Sequence, residues 1–308
     1  MLLERRQHVS RGRFTLVSTG ASRPTVGAVV LTMNDRPEEF PRAMASLLAQ
    51  EGIDLDVVVV GNGCEPEQIP AGVRTVTLPE NVGIPEGRNV GADNVKGDYL
   101  FFFDNDAHLP DTATLARLVA ELHRDPQLAY VQPRISDPVT GVTLRRWVPR
   151  LRASDPARPG TVTVMAEGVV MVRRDAYDRA GGWPGDFFLF HEGVELAWRL
   201  WNLGCTGRYV PDVVVHHPAT NPARHETFYR LNARNRVWVA RRNLPRLLVP
   251  FNLATWCLIT LWRIRDRQAL RVTLAGFREG LAGGQGPRQP MSWRTVLRLT
   301  TAGRPPVF

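Results

Sequence analysis

The chain has 308 residues and a net charge of +9, with 44% hydrophobic and 22% charged side chains. That balance supports a buried core and excludes a disordered polypeptide. Its three cysteines, Cys64, Cys205 and Cys257, lie far apart, which excludes a disulfide framework or a cysteine-based zinc site and fits a reducing, cytoplasmic setting.

The charge is unevenly placed. From Arg224 onward 16 arginines face only Glu226, Asp266 and Glu279, an excess of 13 positive charges. Residues 1–223 hold 23 basic and 27 acidic side chains, net −4. The opening MLLERRQHVSRGRF is charged and lacks an apolar stretch of signal-peptide length, so export is not expected. The chain accordingly divides into a basic lead-in (1–25), a main domain (26–222) and a basic helical region (223–308).

In chain order, Val26–Leu31 is an apolar run that predicts a buried strand, and Pro37–Gln50 a helix with proline in its first turn. Asp56–Val60 and Val73–Leu78 read as a second and a third buried strand. Pro85–Lys96 reads as a helix, Tyr99–Phe103 as a strongly apolar strand, and Asp111–Arg124 as a helix opened by an aspartate. Strands alternating with helices predict a doubly wound, mostly parallel α/β sheet, whose ligands sit beyond the carboxyl ends of the strands. From Ala129 to Val172 short β-like runs are broken by Pro and Gly. Glu192–Leu203 is a helix by its spacing of Val194, Ala197, Trp198 and Trp201. Val213–Val215 is a short strand, His225–Asn243 a long basic helix, and Leu247–Trp262 a 16-residue stretch without charge.

Four constellations carry chemistry. Asp104-Asn105-Asp106 follows FFF, so two carboxylates at i and i+2 leave a buried strand together and can hold one hard divalent cation, with a nucleotide diphosphate supplying further oxygens. Asn81-Val82-Gly83 and Gly87-Arg88-Asn89-Val90-Gly91 combine glycines that let a helix approach the sheet with an arginine fork suited to phosphate. His191-Glu192-Gly193-Val194-Glu195 puts two carboxylates on the first turn of a helix. A metallopeptidase is excluded there, because its second histidine would fall at Glu195. His216-His217 ends a strand and offers imidazoles for a metal.

Taken together, VVLTMNDR, the VVVV strand, NVGIPEGRNVGA, FFFDNDA, GGWPGDFFLFHEGVELAWRL and VVHHPAT resemble, in order and spacing, a family 2 glycosyltransferase. The likeness runs from Val26 to about Thr220. It implies a GT-A-type fold carrying a C-terminal helical appendage. It further implies transfer of a sugar from a nucleotide diphosphate donor to an acceptor hydroxyl, inverting and dependent on Mn²⁺ or Mg²⁺. On the donor side it implies Thr32, Asn34, Arg36 and Arg88, joined by Asn62 of the turn after the second strand and by Asn105. It implies Asp104 and Asp106 for the metal, with His216 or His217 completing that site, and Gly168 in the loop lining the acceptor side.

Two departures stand out. The turn after the second strand is Gly61-Asn62-Gly63, without the family's usual aspartate. The usual catalytic base, the aspartate of Glu-Asp, is replaced by Gly193, which leaves Glu192 as first candidate and Glu195 as second. Gly193 also favours an alternative, a non-catalytic nucleotide-sugar-binding scaffold; a retaining transferase on the same fold is the other.

The 16-residue run is shorter than the ~20 residues of a membrane-spanning helix, and Pro250 and Asn252 interrupt it. Trp256 and Trp262 beside Arg246, Arg263, Arg265 and Arg267 suit a helix lying on anionic lipid, at the inner face of the plasma membrane. A glycan or lipid-linked acceptor fits such a surface. Although the sequence pI is 10.4, the basic tail contains no nucleic-acid recognition module, so no nucleic-acid partner is expected.

Overall fold

The computed structural model describes residues 23–149, 155–166, 168–219 and 226–307; the basic lead-in up to residue 22 lies outside them. The strands are β1 (Thr25–Thr32), β2 (Asp54–Asn62), β3 (Arg74–Leu78), β4 (Tyr99–Asp104), β5 (Leu128–Ser136), β6 (Gly160–Val162), β7 (Val169–Arg173) and β8 (Thr206–His216). The α-helices are α1 (Glu39–Leu48), α2 (Ile84–Asp93), α3 (Thr114–Arg124), α4 (Arg174–Ala180), α5 (Glu192–Asn202), α6 (Glu226–Asn243), α7 (Leu248–Arg263), α8 (Arg267–Ala282) and α9 (Trp293–Thr301).

Among the described residues the strands form one sheet in the order β3-β2-β1-β4-β7-β5-β8-β6. β7 is antiparallel to β4 and to β5, and β6 is antiparallel to β8, while the other pairings are parallel. The apolar runs are continuous because both faces are covered. In β4, Leu100 and Phe102 face one core cluster, and Tyr99, Phe101 and Phe103 face the other. α1 and α3 cover the second face through Phe40, Met44, Leu47, Leu115, Leu118 and Leu122. The first face is covered by α5 and, beyond it, by Trp238, Val239 and Ala240 of α6, so the basic helical region shares a core with the sheet.

Several boundaries differ from the sequence reading. α3 begins at Thr114, because Asp111 forms a turn before it, accepting the Ala113 N–H on its carboxylate (2.9 Å). β3 is a half-exposed edge strand and not a buried one. Val213–Val215 is only the end of an 11-residue strand, β8. Residues 248–263 form one unbroken helix. Pro250 sits in its first turn, where the missing N–H has no intrahelical partner to lose, and buried Asn252 donates to the Pro306 carbonyl (3.1 Å).

α2 is drawn onto the sheet by its glycines. A Cβ on Gly91 would stand 2.2 Å from Val29 Cγ1, and one on Gly87 would stand 2.6 Å from Leu31 Cδ1. Gly91→Val overpacks this contact, with an expected loss of about 1–3 kcal/mol of stability. Urea unfolding of the two proteins checks it; unchanged stability would mean that α2 moves freely on the sheet.

Candidate functional site

The chain runs from β1 toward one edge of the sheet, to β2, and from β4 toward the other edge, to β5, and a crevice opens between them at the carboxyl ends of the strands. It is a cleft of about 340 Å³, lined by Thr32, Asp35 and Arg36 after β1, Asn62 of β2, Asn81, Gly83 and Arg88 at α2, Asp104–Asp106 after β4, Phe188 and Leu189, and His217.

His217 arrives from β8, yet its Nε2 lies 3.3 Å from Asp104 Oδ2 and 3.1 Å from Asp106 Oδ1. One ligand atom from each of the three residues falls within 4.8 Å of the others. The Pro218 carbonyl accepts from His217 Nδ1–H (2.8 Å), so Nε2 is the ring nitrogen that faces the carboxylates. Metal-bound histidines are commonly held in this way, the ring nitrogen away from the metal donating to a carbonyl or carboxylate. Two hard carboxylates plus an oriented imidazole fit a divalent cation such as Mn²⁺.

A proton on Nε2 and a cation compete for the place between the carboxylates. Burial works to lower the His217 pKa, but the hydrogen bond to Asp104 and the charges of Asp104 and Asp106 prevail and lift it to about 9. Burial pushes the Asp106 carboxyl upward, against His217. Further positive charge comes from Arg88, whose Nη2 donates to Asp104 Oδ1 (2.8 Å), and from Arg36, 3.5 Å from Asp106. His216 is separated from this group by strand alternation. Its backbone bridges to His108 and its ring lies 6.2 Å from the His108 ring.

Gly168 is part of the same construction: a Cβ there would fall 2.5 Å from Asp104 Oδ2. Arg88 is buried, 5.5 Å over Trp183, with Nη1 lacking a hydrogen-bond partner among the described residues. One donor therefore remains for a ligand. Thr32 lines the cleft but spends its Oγ1 accepting the Asn34 N–H (3.0 Å). Asn105 lines it too and donates to Asp35 (3.2 Å). Asn62 reaches the cleft, yet its amide binds Asn81 Oδ1, the Gly83 carbonyl and the Val82 N–H, so it shapes the wall. Asn34 lies outside the lining; its side chain ties Glu65 and Glu67 of the loop after β2.

The carboxylates of α5 are not in the lining. Glu195 is a structural counter-ion, 3.1 Å from Arg242 and 3.9 Å from Arg199. Burial raises its pKa and the two arginines oppose the rise. Glu192 is also buried, at the start of α5, directly after the cleft-lining loop. The neighbouring Gly193 carbonyl accepts the Met165 N–H (3.3 Å), on the segment leading to Gly168.

That cleft-lining loop holds a feature the sequence reading missed. Phe188, Phe190 and His191 all have positive φ, of 65°, 71° and 68°, a conformation that costs non-glycine residues of order 1–3 kcal/mol each. Buried Asn235 of α6 holds them, its amide donating to the carbonyls of Phe187, Leu189 and Phe190 at 2.7–3.0 Å. A polar residue inside a basic helix gives no sign of this in sequence. Trp147, 5.8 Å from the His217 ring, was missed likewise.

The profile of glycosyl transferase family 2 matches residues 28–181, half of the chain. The chain belongs to that family. It is 26% identical over 227 residues to the pre-mycofactocin glycosyltransferase of Mycobacterium tuberculosis, covering 70% of this chain and 44% of that protein. An uncharacterized glycosyltransferase of Haemophilus influenzae is 25% identical over 111 residues, 34% of this chain and 37% of the other. The chain thus spans less than half the length of these curated relatives.

Among solved structures, GalNAc-T7 with UDP, GalNAc and Mn²⁺ superposes with a TM-score of 0.62 at 16% identity, covering 92% of this chain and 58% of that one. The mannosyltransferase PcManGT of Pyrobaculum calidifontis, with GDP-Man and Mn²⁺, gives 0.56 at 21% identity, covering 91% and 79%. The fold is of the GT-A type.

Asn235→Ala should cost about 1–3 kcal/mol by leaving three loop carbonyls without their donor. Thermal unfolding checks the cost. A melting temperature equal to that of the unaltered protein would show the loop to be held by other contacts.

Proposed function

We propose that this chain transfers a glycosyl group from a nucleotide diphosphate sugar to an acceptor hydroxyl by a single in-line displacement, with inversion at the anomeric carbon. The observation that carries the reading is the convergence of Asp104, Asp106 and His217 in one cleft, beside the spare Arg88 donor. The two Mn²⁺-containing neighbours, solved with UDP and with GDP-Man, support it. A divalent cation, Mn²⁺ or Mg²⁺, would supply neutralisation of charge on the departing diphosphate.

Arg88 donates from Nη1 to a diphosphate oxygen, and Arg36 adds positive charge at the rim. Thr32 and Asn105 bound the nucleotide side. The acceptor oxygen attacks from the face opposite the diphosphate, forming the new glycosidic bond as the bond to the diphosphate oxygen breaks. Glu192 takes the hydroxyl proton, a role its place at the start of α5 supports once acceptor opens a path to it. A glycan or lipid-linked acceptor, met at an anionic membrane surface on the cytoplasmic side, suits the basic C-terminal helices.

A second reading follows from Gly193. A chain lacking the usual base could bind the donor without transferring it, as a scaffold.

Asp106→Ala should weaken Mn²⁺-dependent binding of UDP or GDP, read by calorimetry, and nearly abolish transfer; full activity in excess chelator would remove the metal from the mechanism. Glu192→Gln should lower turnover by about 10²–10⁴-fold with donor affinity little changed. If the unaltered chain binds donor yet neither transfers nor hydrolyses it, the scaffold reading stands instead. An axial-to-axial or equatorial-to-equatorial outcome by NMR would replace inversion by retention.

Gly168→Ala places a methyl group against the Asp104 carboxylate. It should weaken Mn²⁺ binding at least several-fold while the melting temperature stays within a few degrees, because the methyl meets only the ends of the Asp104 and His217 side chains and no backbone. Unchanged Mn²⁺ affinity would remove Asp104 from the ligand set.

A further inference from the structure

The N-terminal end of α7 carries a second basic site. Two adjoining cavities of about 410 Å³ and 600 Å³ share Arg246 and Arg288 in their walls. Arg241, Gln285, Val249, Pro250 and Leu253 complete the first; Pro290, Met291 and Trp293 belong to the second. No aspartate or glutamate lines either one among the described residues. Arg288 donates to the Arg241 and Leu244 carbonyls, and Arg241 to the Gly280 and Leu281 carbonyls, so both guanidinium groups are fixed in place. Arg246 is exposed and makes no hydrogen bond or ion pair among the described residues. Burial lowers the proton affinity of Arg288, and the charges of Arg246 and Arg241 lower it further. Three cations gathered without a carboxylate are an uncompensated repulsion that an anion relieves.

The surface beside these cavities is apolar. Leu247, Phe251, Leu258 and Trp262 are 71%, 66%, 67% and 68% exposed, with Leu261 at 47%. Their spacing of four, seven and four puts them on one stripe of a helix, roughly 22 Å long at 1.5 Å per residue. The opposite side of α7 is packed inward, with Asn252 buried and Trp256 under the Arg236 guanidinium at 3.4 Å. On the far side of the cavities, α9 exposes Trp293 and Leu297, at 56% and 63%. No helix among the described residues is long and apolar enough to cross a membrane. An apolar stripe of this length, with Arg246 before it, Arg263 after it and Trp262 upon it, matches a helix lying in a lipid interface. A second copy pairing through the same face would have to answer Arg241, Arg246 and Arg288 with Asp266, which follows the other end of α7 and caps α8.

We propose that Arg241, Arg246 and Arg288 seat the phosphate of an anionic phospholipid headgroup while the exposed stripe of α7 lies in the bilayer interface beside it. This rests on the membrane-surface reading above and is independent of the chemistry of the cleft. The headgroup phosphate accepts from the guanidinium groups, and Trp293 and Phe251 flank it from the apolar side. Donor cleft and lipid seat are separate sites, because none of the three arginines lines the cleft.

The test is co-sedimentation of the full chain with vesicles of phosphatidylcholine alone and of equimolar phosphatidylcholine and phosphatidylglycerol. Binding is expected only to the mixed vesicles. Arg246→Glu changes the charge by two units and should weaken that binding on the order of thirtyfold, at about fivefold per unit of charge near an anionic surface. Leu258→Asp, on the stripe but away from the arginines, should weaken it as well, with circular dichroism of both variants matching the unaltered chain. Soluble glycerophosphoglycerol and inorganic phosphate should compete poorly. If Arg246→Glu binds mixed vesicles as well as the unaltered chain, the seat is overturned although membrane association survives. Loss of phosphate binding alone would assign the arginines to a free anion. If the unaltered chain binds neither vesicle, the membrane-surface reading falls too; a dimer that Leu258→Asp dissociates would then give the stripe to a second copy. Transfer activity, present or absent, alters none of these outcomes.

Discussion

Two carboxylates held side by side in a partly buried crevice repel each other and shed hydration, and everything around Asp104 and Asp106 answers that cost. Arg88 rises from α2 to meet one, Arg36 leans in from the end of β1 to meet the other, and His217 bridges both. The close approach of α2 to the sheet, which its glycines permit, is what brings Arg88 within reach. The long strand β8 brings His217 back across the sheet to the same place. The group of side chains that could hold a cation and a stable fold are in this sense one arrangement of charge.

Much of this was legible in the residues. The continuous apolar runs before Asp104 and through VVVV announce strands covered on both faces, and the α/β alternation announces the crevice at their ends. The choice between His216 and His217 was not legible, because both end the same strand and only the pairing of β8 with the His108 segment decides which ring turns to the carboxylates. Glu195 stood as a second candidate beside Glu192 because both lie on the first turn of α5. Arg242 distinguishes them, and it comes from a helix 47 residues away in sequence. Asn34 reads as a donor contact from its place in VVLTMNDR, but a positive φ of 57° turns its amide onto the loop after β2.

The C-terminal helices are the part that sequence represents least well. Composition marks them as a basic appendage, since arginine dominates and the apolar positions of α6 are few. In the folded chain Trp238 and Leu244 join the core under the sheet, and the arginines divide into two populations. Some, such as Arg242 and Arg298, are consumed by backbone carbonyls or buried acids. Others, such as Arg246, stay exposed around the apolar stripe. A count of charges treats these groups alike, whereas their surroundings assign one to architecture and the other to solvent or an anionic surface.

The grip of Asn235 on the Phe187–Phe190 carbonyls has a consequence for engineering. The wall of the cleft between residues 187 and 191 takes its shape from an amide on α6, not from its own residues alone. Grafting that loop from a relative to alter sugar preference would therefore import side chains without their template. A chimera that exchanges the loop together with α6 carries over the geometry; one that exchanges the loop alone leaves three left-handed residues to relax into a different wall.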